Sequence, residues 1–257
     1  MAASIDLNCD MGESYGAWSM GNDAAVLRYV TSANIACGFH GGDPGTMRAT
    51  VAAALAHGVA LGAHPSLPDL AGFGRRAMQI TPQEAYDMVV YQVGALAAVA
   101  ASQGARLHHV KAHGALYNMA AKDGALALAI CRAVHDVDPT LVLYGLAGSA
   151  LITAAEAVGL TAASEVFADR SYQDDGSLTP RSQPGAMIED LQVAIAQVLR
   201  MAGDGMVRSV NGKDVAVRAD TLCIHGDQPN ARAFAQGIRD ALTQAGINVA
   251  TVRPAAR

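Results

Sequence analysis

Residues 33–66 read ANIACGFHGGDPGTMRATVAAALAHGVALGAHPS, and this stretch sets the fold class. It opens on an apolar, strand-like run, Ala33–Cys37, followed by a glycine-rich turn. Thr46–His57, TMRATVAAALAH, then has helical period, and Gly58 stops it in the manner of a left-handed C-terminal cap. A second apolar run, Val59–Ala63, starts at once. Strand, helix and strand in so short a span predict parallel strands joined by a right-handed crossover. Asp43-Pro44 ahead of the helix reads as a capping aspartate with proline in the first turn.

The same alternation extends in both directions. Further strand candidates are Ile5–Cys9, His108–Ala112, Leu141–Leu146, Thr161–Phe167 and Leu222–Ile224. Helix candidates are Thr81–Gln103, Ala120–Val137, Ala147–Val158, Gly185–Met201 and Asn230–Ala245. The first of these opens TPQE, with Thr81 as N-cap, Pro82 in the first turn and Glu84 completing a capping box. Gly104, Gly159 and Gly246 supply further stops. Seven strands without a shift in composition predict one domain over residues 1–257, a single seven-stranded parallel β/α barrel of TIM type. The competing architecture is an open doubly wound sheet. It would place GxGxxG after the first strand, where this chain has CDMGES. Two segments stand outside the alternation. Met206–Arg218, MVRSVNGKDVAVR, alternates on both sides of Asn211-Gly212 and predicts a β-hairpin insertion. Asp169–Pro184 is polar and reads as a long functional loop after the sixth strand.

A net charge of −5 offers no basic patch for nucleic acid or an anionic membrane surface. No apolar run approaches the roughly 20 residues that span a bilayer, and Met1–Asp10 lacks the features of a signal peptide. Cys9, Cys37, Cys131 and Cys223 form no CxxC pair and read as small core residues in a reducing compartment. A cytoplasmic protein is expected. Association into a homo-oligomer is compatible with this composition.

The chemistry-bearing residues cluster by position. Asn8 lies on the first strand, and Asp10 and then Glu13 follow it. His40 follows the second strand and His64 the third. Lys111 and His113 belong to the fourth and face one side, while Glu165, Asp169 and Arg170 belong to the sixth. His225 and Asp227 follow the seventh, and Arg181 lies in the long loop. In β/α barrels the C-terminal strand ends converge on one mouth, which holds the active site. Each residue alone has a structural reading: a hydrogen-bonded core histidine, a helix cap, a solvated arginine. Convergence from several strands argues for function. Lys111 points inward, either pairing with Asp10 or Glu165 or clamping a substrate, and burial is expected to lower its pKa. Asp10, His40 and His64 would suit a divalent metal, as in barrel deacetylases, although no HxxxH or HExxH spacing is present. A metal-dependent hydrolase acting alone is therefore the alternative function. No GxxxxGK[ST] motif supports ATP binding by this chain alone.

The blocks IDLNCDMGESYGAW, ANIACGFHGGDP, GAHPSLPDLAGFGRR, VKAHGALYN, SEVFADRSYQDDGSLTPRSQPGA and LCIHGDQP together resemble the LamB/YcsF family, from Ile5 to Pro229. The resemblance implies a seven-stranded barrel akin to glycoside hydrolases and deacetylases. It implies ATP-dependent 5-oxoprolinase chemistry, in which 5-oxo-L-proline, ATP and water give L-glutamate, ADP and phosphate. It also implies two partner proteins, subunits B and C. In that scheme Asp10 activates water, His64 and His113 move protons, and Lys111 stabilises negative charge on the substrate. Asn8, Glu13, His40, Glu165, His225 and Asp227 position the substrate or the catalytic groups, and Arg170 or Arg181 holds the substrate carboxylate.

Overall fold

The computed structural model describes residues 4–224 and 231–254. Its elements run β1 (Ser4–Met11), α1 (Asp23–Val26), β2 (Ser32–Ala36), α2 (Pro44–Ala56), β3 (Ala60–His64), α3 (Pro82–Ala101), β4 (His109–Lys111), α4 (Gly114–Ala120) and α5 (Gly124–Val137). They continue with β5 (Val142–Leu146), α6 (Ala150–Ala157), β6 (Thr161–Phe167), α7 (Leu191–Asp204), β7 (Met206–Arg208), β8 (Asp214–Ala216), β9 (Thr221–Ile224), α8 (Ala231–Gln244) and β10 (Asn248–Val249). Strands pair in the order β1-β2-β3-β4-β5-β6-β9, and β9 returns to β1, so a seven-stranded parallel barrel closes. The doubly wound alternative is excluded by that closure. The short β10 adds a strand that sequence reading missed. It pairs with the first two described residues of β1, at Ser4↔Asn248 and Ile5↔Val249.

Local signals formed as read at several points. Thr81 and Glu84 make the reciprocal capping box of α3. Asp43 caps α2, accepting from the amides of Gly45 (2.9 Å) and Thr46 (3.0 Å). The helix read as Ala120–Val137 starts only at Gly124, and a separate helix, α4, which was not read, precedes it. α4 ends at Ala120, and Asp123 starts α5 by accepting from the amides of Ala125 and Leu126. The helix expected from Gly185 begins at Leu191, because Asp190 accepts from the amides of Gln192 (2.7 Å) and Val193 (3.1 Å). The hairpin stands as expected. β7 and β8 pair antiparallel, and the hairpin's Ser209 and Asn211 donate to Asp174, bracing the long loop.

Strand alternation sends Ile5, Leu7, Cys9 and Met11 of β1 to the helices, where all are buried in the main core. Asp6, Asn8 and Asp10 face the barrel axis, so the lower interior is a polar column. The Asp6 carboxylate accepts from the hydroxyls of Thr31 (2.6 Å), Ser32 (2.7 Å) and Thr221 (2.5 Å). Burial nevertheless raises its pKa above the ordinary aspartate range. One layer up, the Asn8 amide donates to Glu165 (3.0 Å) and Thr221 (2.7 Å), while Asn34 donates to Asn8 and Asp10 (both 2.8 Å). His109 donates from Nε2 to the Asn34 oxygen (2.8 Å) and stacks on Tyr144 with centroids 4.2 Å apart.

That ring crosses the barrel directly over Gly62. A methyl group there would lie 2.0 Å from His109 Nε2, and the hydrogen bond and stacking keep the ring from yielding. Gly62→Ala should therefore destabilise the protein by about 1–3 kcal/mol. Equilibrium denaturant melts measure this, and unchanged stability would show that His109 is free to move.

Candidate active site

At the C-terminal ends of the strands the column opens into a cavity of about 500 Å³. Asp10, His64, Lys111 and His113 line it, as does Glu13. These are the residues sequence reading named for chemistry, together with one it named for binding. Lys111 forms the floor. Its Nζ lies 2.8 Å from Glu165 Oε1 and 3.1 Å from Asp10 Oδ1, and it donates to Asn8 Oδ1 at 3.1 Å. Burial pulls the ammonium's pKa down, but Asp10, Cys223 and Glu165 outweigh it and hold the pKa well above the lysine range. The expected fall in pKa is thus reversed, because two carboxylates share the pocket. Lys111 is a fixed positive charge.

Asn8 and Glu165, expected against the substrate, are fully buried below Lys111 and off the cavity wall. They hold the ammonium in place. Tyr117, which sequence reading passed over, donates to Glu165 Oε2 at 2.7 Å and reaches the wall. Its signal was spacing: it lies one helical turn past His113, on the face turned to the barrel.

Three histidines pack beside Asp10. His40 stacks on His113 with centroids 3.7 Å apart and planes 4° from parallel, and His64 stands edge-on to both. His64 Nδ1 meets the Lys111 carbonyl at 2.7 Å, and His113 Nε2 meets the Phe73 carbonyl at 2.9 Å. Burial lowers the His40 pKa well below the histidine range and takes that of His113 down to about 3. Both rings are therefore neutral in the folded protein. The sequence grouped Asp10, His40 and His64 as metal ligands. His64 Nε2 is indeed 3.3 Å from Asp10 Oδ2, but the described residues bring Glu13, His40, His64 and His113 together as a donor cluster, all within 4.8 Å. Glu13 is held there by the loop after β2. A methyl group on Gly41 would lie 2.6 Å from the Glu13 carbonyl oxygen, so this approach needs glycine.

The outer wall is cationic. Arg75, Lys122, Arg170 and Arg181 join Lys111, against the carboxylates of Asp10 and Glu13. Arg75 and Lys122 were missed; the Arg-Arg pair after GFG was the available signal. Arg170 is not a solvated charge. It is buried and donates to the carbonyls of Thr179 (2.6 Å) and Ala186 (3.3 Å), so it shapes the loop while its side chain borders the cavity. Arg181 is exposed at the rim. The long loop contributes Ser177–Arg181 to the wall, as its length suggested. His225 and Asp227 lie outside the described residues. No helix among the described residues is long and apolar enough to cross a membrane.

A sequence model of the LamB/YcsF family matches residues 5–257. The chain belongs to the LamB/YcsF family. A relative from Bordetella pertussis, named as the A subunit of 5-oxoprolinase, is 80% identical over 249 residues, covering 97% of this chain and 99% of the relative. The crystal structure of the lactam utilization protein from Thermus thermophilus superposes with a TM-score of 0.92 at 50% identity, covering 97% of this chain and all of that one. A family 4 carbohydrate esterase from Streptomyces lividans shares the fold alone, with a TM-score of 0.55 at 10% identity and 98% of each chain covered. The kinship to deacetylase barrels expected of a LamB/YcsF protein is thus one of architecture.

Proposed function

We propose that this chain opens the lactam ring of 5-oxo-L-proline as the A subunit of an ATP-dependent 5-oxoprolinase, working with subunits B and C in the cytoplasm. The observation that carries the reading is the Lys111 ammonium, 3.1 Å from the Asp10 carboxylate on the floor of a cation-lined cavity. The name of the relative 80% identical to this chain supports the substrate.

An unstrained amide beside a carboxylate resists water. Transfer of a phosphoryl group from ATP to the amide oxygen makes the ring carbon electrophilic. Water then adds to that carbon, the C–N bond breaks, and the ring nitrogen takes a proton. The product is an open-chain acyl phosphate, which a second water converts to glutamate and phosphate. The cavity exceeds what the free lactam needs and has room for the phosphoryl group. Asp10 takes the proton from the attacking water and returns it to the leaving nitrogen. Lys111 lies where negative charge grows on the substrate oxygen. Arg75, Arg170 and Arg181 line the wall that would receive the substrate carboxylate and phosphoryl group. Since the sequence carries no P-loop, we assign phosphorylation to the partner proteins and ring opening to this barrel.

The deciding assay is glutamate release from 5-oxoproline with ATP, using this protein with and without its two partners. Release only with all three, with matching ADP, is the expected result. Release without ATP, or none with verified partners, would overturn the reading. ATP-dependent labelling of 5-oxoproline by subunits B and C alone supports the division of labour, and labelling that depends on this chain removes it.

A further inference from the structure

We propose that Glu13, His40, His64 and His113 form a binding site for one divalent transition-metal ion, with Asp10 at its edge. Hydrogen bonding fixes the tautomers. A backbone carbonyl can only accept, so His64 carries its hydrogen on Nδ1, 2.7 Å from the Lys111 oxygen. By the same rule His113 carries its hydrogen on Nε2, 2.9 Å from the Phe73 oxygen. The remaining nitrogens, His64 Nε2 and His113 Nδ1, both present lone pairs, and they face each other at 2.9 Å. Carboxylate oxygens crowd the same space. Asp10 Oδ2 is 3.3 Å from His64 Nε2, and Glu13 Oε1 is 3.5 Å from His113 Nδ1 and 3.3 Å from His40 Nε2. The two inner ring nitrogens are thus buried acceptors turned on one another, an arrangement that repels unless a cation joins them, while His40 Nε2 can donate to Glu13.

Lys111 is not that cation, since its contact is with the other Asp10 oxygen, Oδ1. Two further observations indicate a metal. Tetrahedral bonds of about 2.1 Å place neighbouring ligand atoms about 3.4 Å apart; the His64–His113, His40–Glu13 and His113–Glu13 contacts are 2.9, 3.3 and 3.5 Å, within a cluster whose ligand atoms all lie within 4.8 Å of one another. Both inner histidines also have their outer N–H groups held by carbonyls, the arrangement that orients metal-binding imidazoles. The Phe73 carbonyl is held there at a cost in backbone strain. Among the described residues, Phe73 is the non-glycine residue with positive φ, at 55°. Among the described residues the buried His40 Nδ1 has no hydrogen-bond partner, while stacking on His113 and the Glu13 contact orient the ring. Imidazole nitrogens with carboxylate oxygens suit Zn²⁺, Co²⁺ or Mn²⁺ better than Mg²⁺ or Ca²⁺.

The inference does not rest on the lactam reading, because the ion is measured on the isolated full chain without substrate. The probe is Co²⁺ added to chelator-treated protein, followed by its visible absorption and by elemental analysis after desalting. One Co²⁺ per chain is expected, with bands of a low-coordinate nitrogen–oxygen site that Zn²⁺ abolishes. His64→Asn and His113→Gln can keep the hydrogen bonds to the carbonyls while removing the inner ring nitrogens. Each should weaken Co²⁺ binding by about 100-fold or more, as should Glu13→Gln. Thermal melts show which variants are folded, and any one folded variant suffices for the comparison. Absence of stoichiometric binding, or binding that a folded variant leaves unchanged, overturns the proposal and leaves a shared proton as the cation between the two rings.

Discussion

Lys111→Met should lower glutamate release by the proposed three-protein enzyme by about 10²–10³-fold or more, the scale set by removing a preorganised charge from a developing oxyanion. The ammonium is held by Asp10, Glu165 and Asn8 at 2.8–3.1 Å, so no other group of the column can move into its place. Methionine preserves most of the side chain's volume but leaves the buried Glu165 and the partly buried Asp10 without this cation. The same substitution should therefore destabilise the fold by about 3–5 kcal/mol. Turnover is to be compared only at temperatures where the melt shows the variant folded. Near-normal kcat in folded protein would remove Lys111 from the mechanism. The sign of its pKa shift adds a second check. A lysine whose folded pKa is raised contributes stability that is fully present below its unfolded value of about 10.4. That stability is lost only as pH rises through the still higher folded value. An alkaline decline in activity between neutrality and about pH 9 would therefore have to come from another group.

Asp10→Asn should reduce turnover by about 10²–10⁴-fold, the usual effect of losing a general base, while leaving the melting temperature near that of the parent. The reason lies in the neighbours. Asp10 Oδ1 accepts from Lys111 and Asn34, and an amide oxygen can do the same. Oδ2 faces His64 Nε2 at 3.3 Å, an acceptor, and there an amide NH₂ can donate where the carboxylate cannot. Activity and stability should separate at this position and fall together at Lys111. If Asp10→Asn retains more than about a tenth of the parent kcat, the base is some other group.

Much of the barrel was legible because its signals are local. The Thr81–Glu84 box, the glycine stops and the Asn211-Gly212 turn depend on a few adjacent residues. Where local signals compete, the reading failed. Asp123 and Asp190 cap helices inside runs whose period alone extends further. β10 has two residues and no pattern of its own; it exists because the start of β1 offers it a partner.

The sequence by itself determined that strand ends would gather Asp10, Glu13, His64, Lys111 and His113 at one mouth, since parallel β/α units bring their C-terminal strand ends to the same side. Period two also fixed which side of each strand faces the axis. Tertiary structure alone decided what those groups are to one another. Lys111 keeps its charge because residues 101 and 54 positions away in the chain bring carboxylates to it. Asn8 and Glu165 became supports rather than contacts because the fold set them one layer below the cavity. The inner nitrogens of His64 and His113 face as acceptors because carbonyls of Lys111 and Phe73 hold their opposite edges. Charge state and tautomer depend on distances of a few ångströms across the barrel, and no local pattern encodes those.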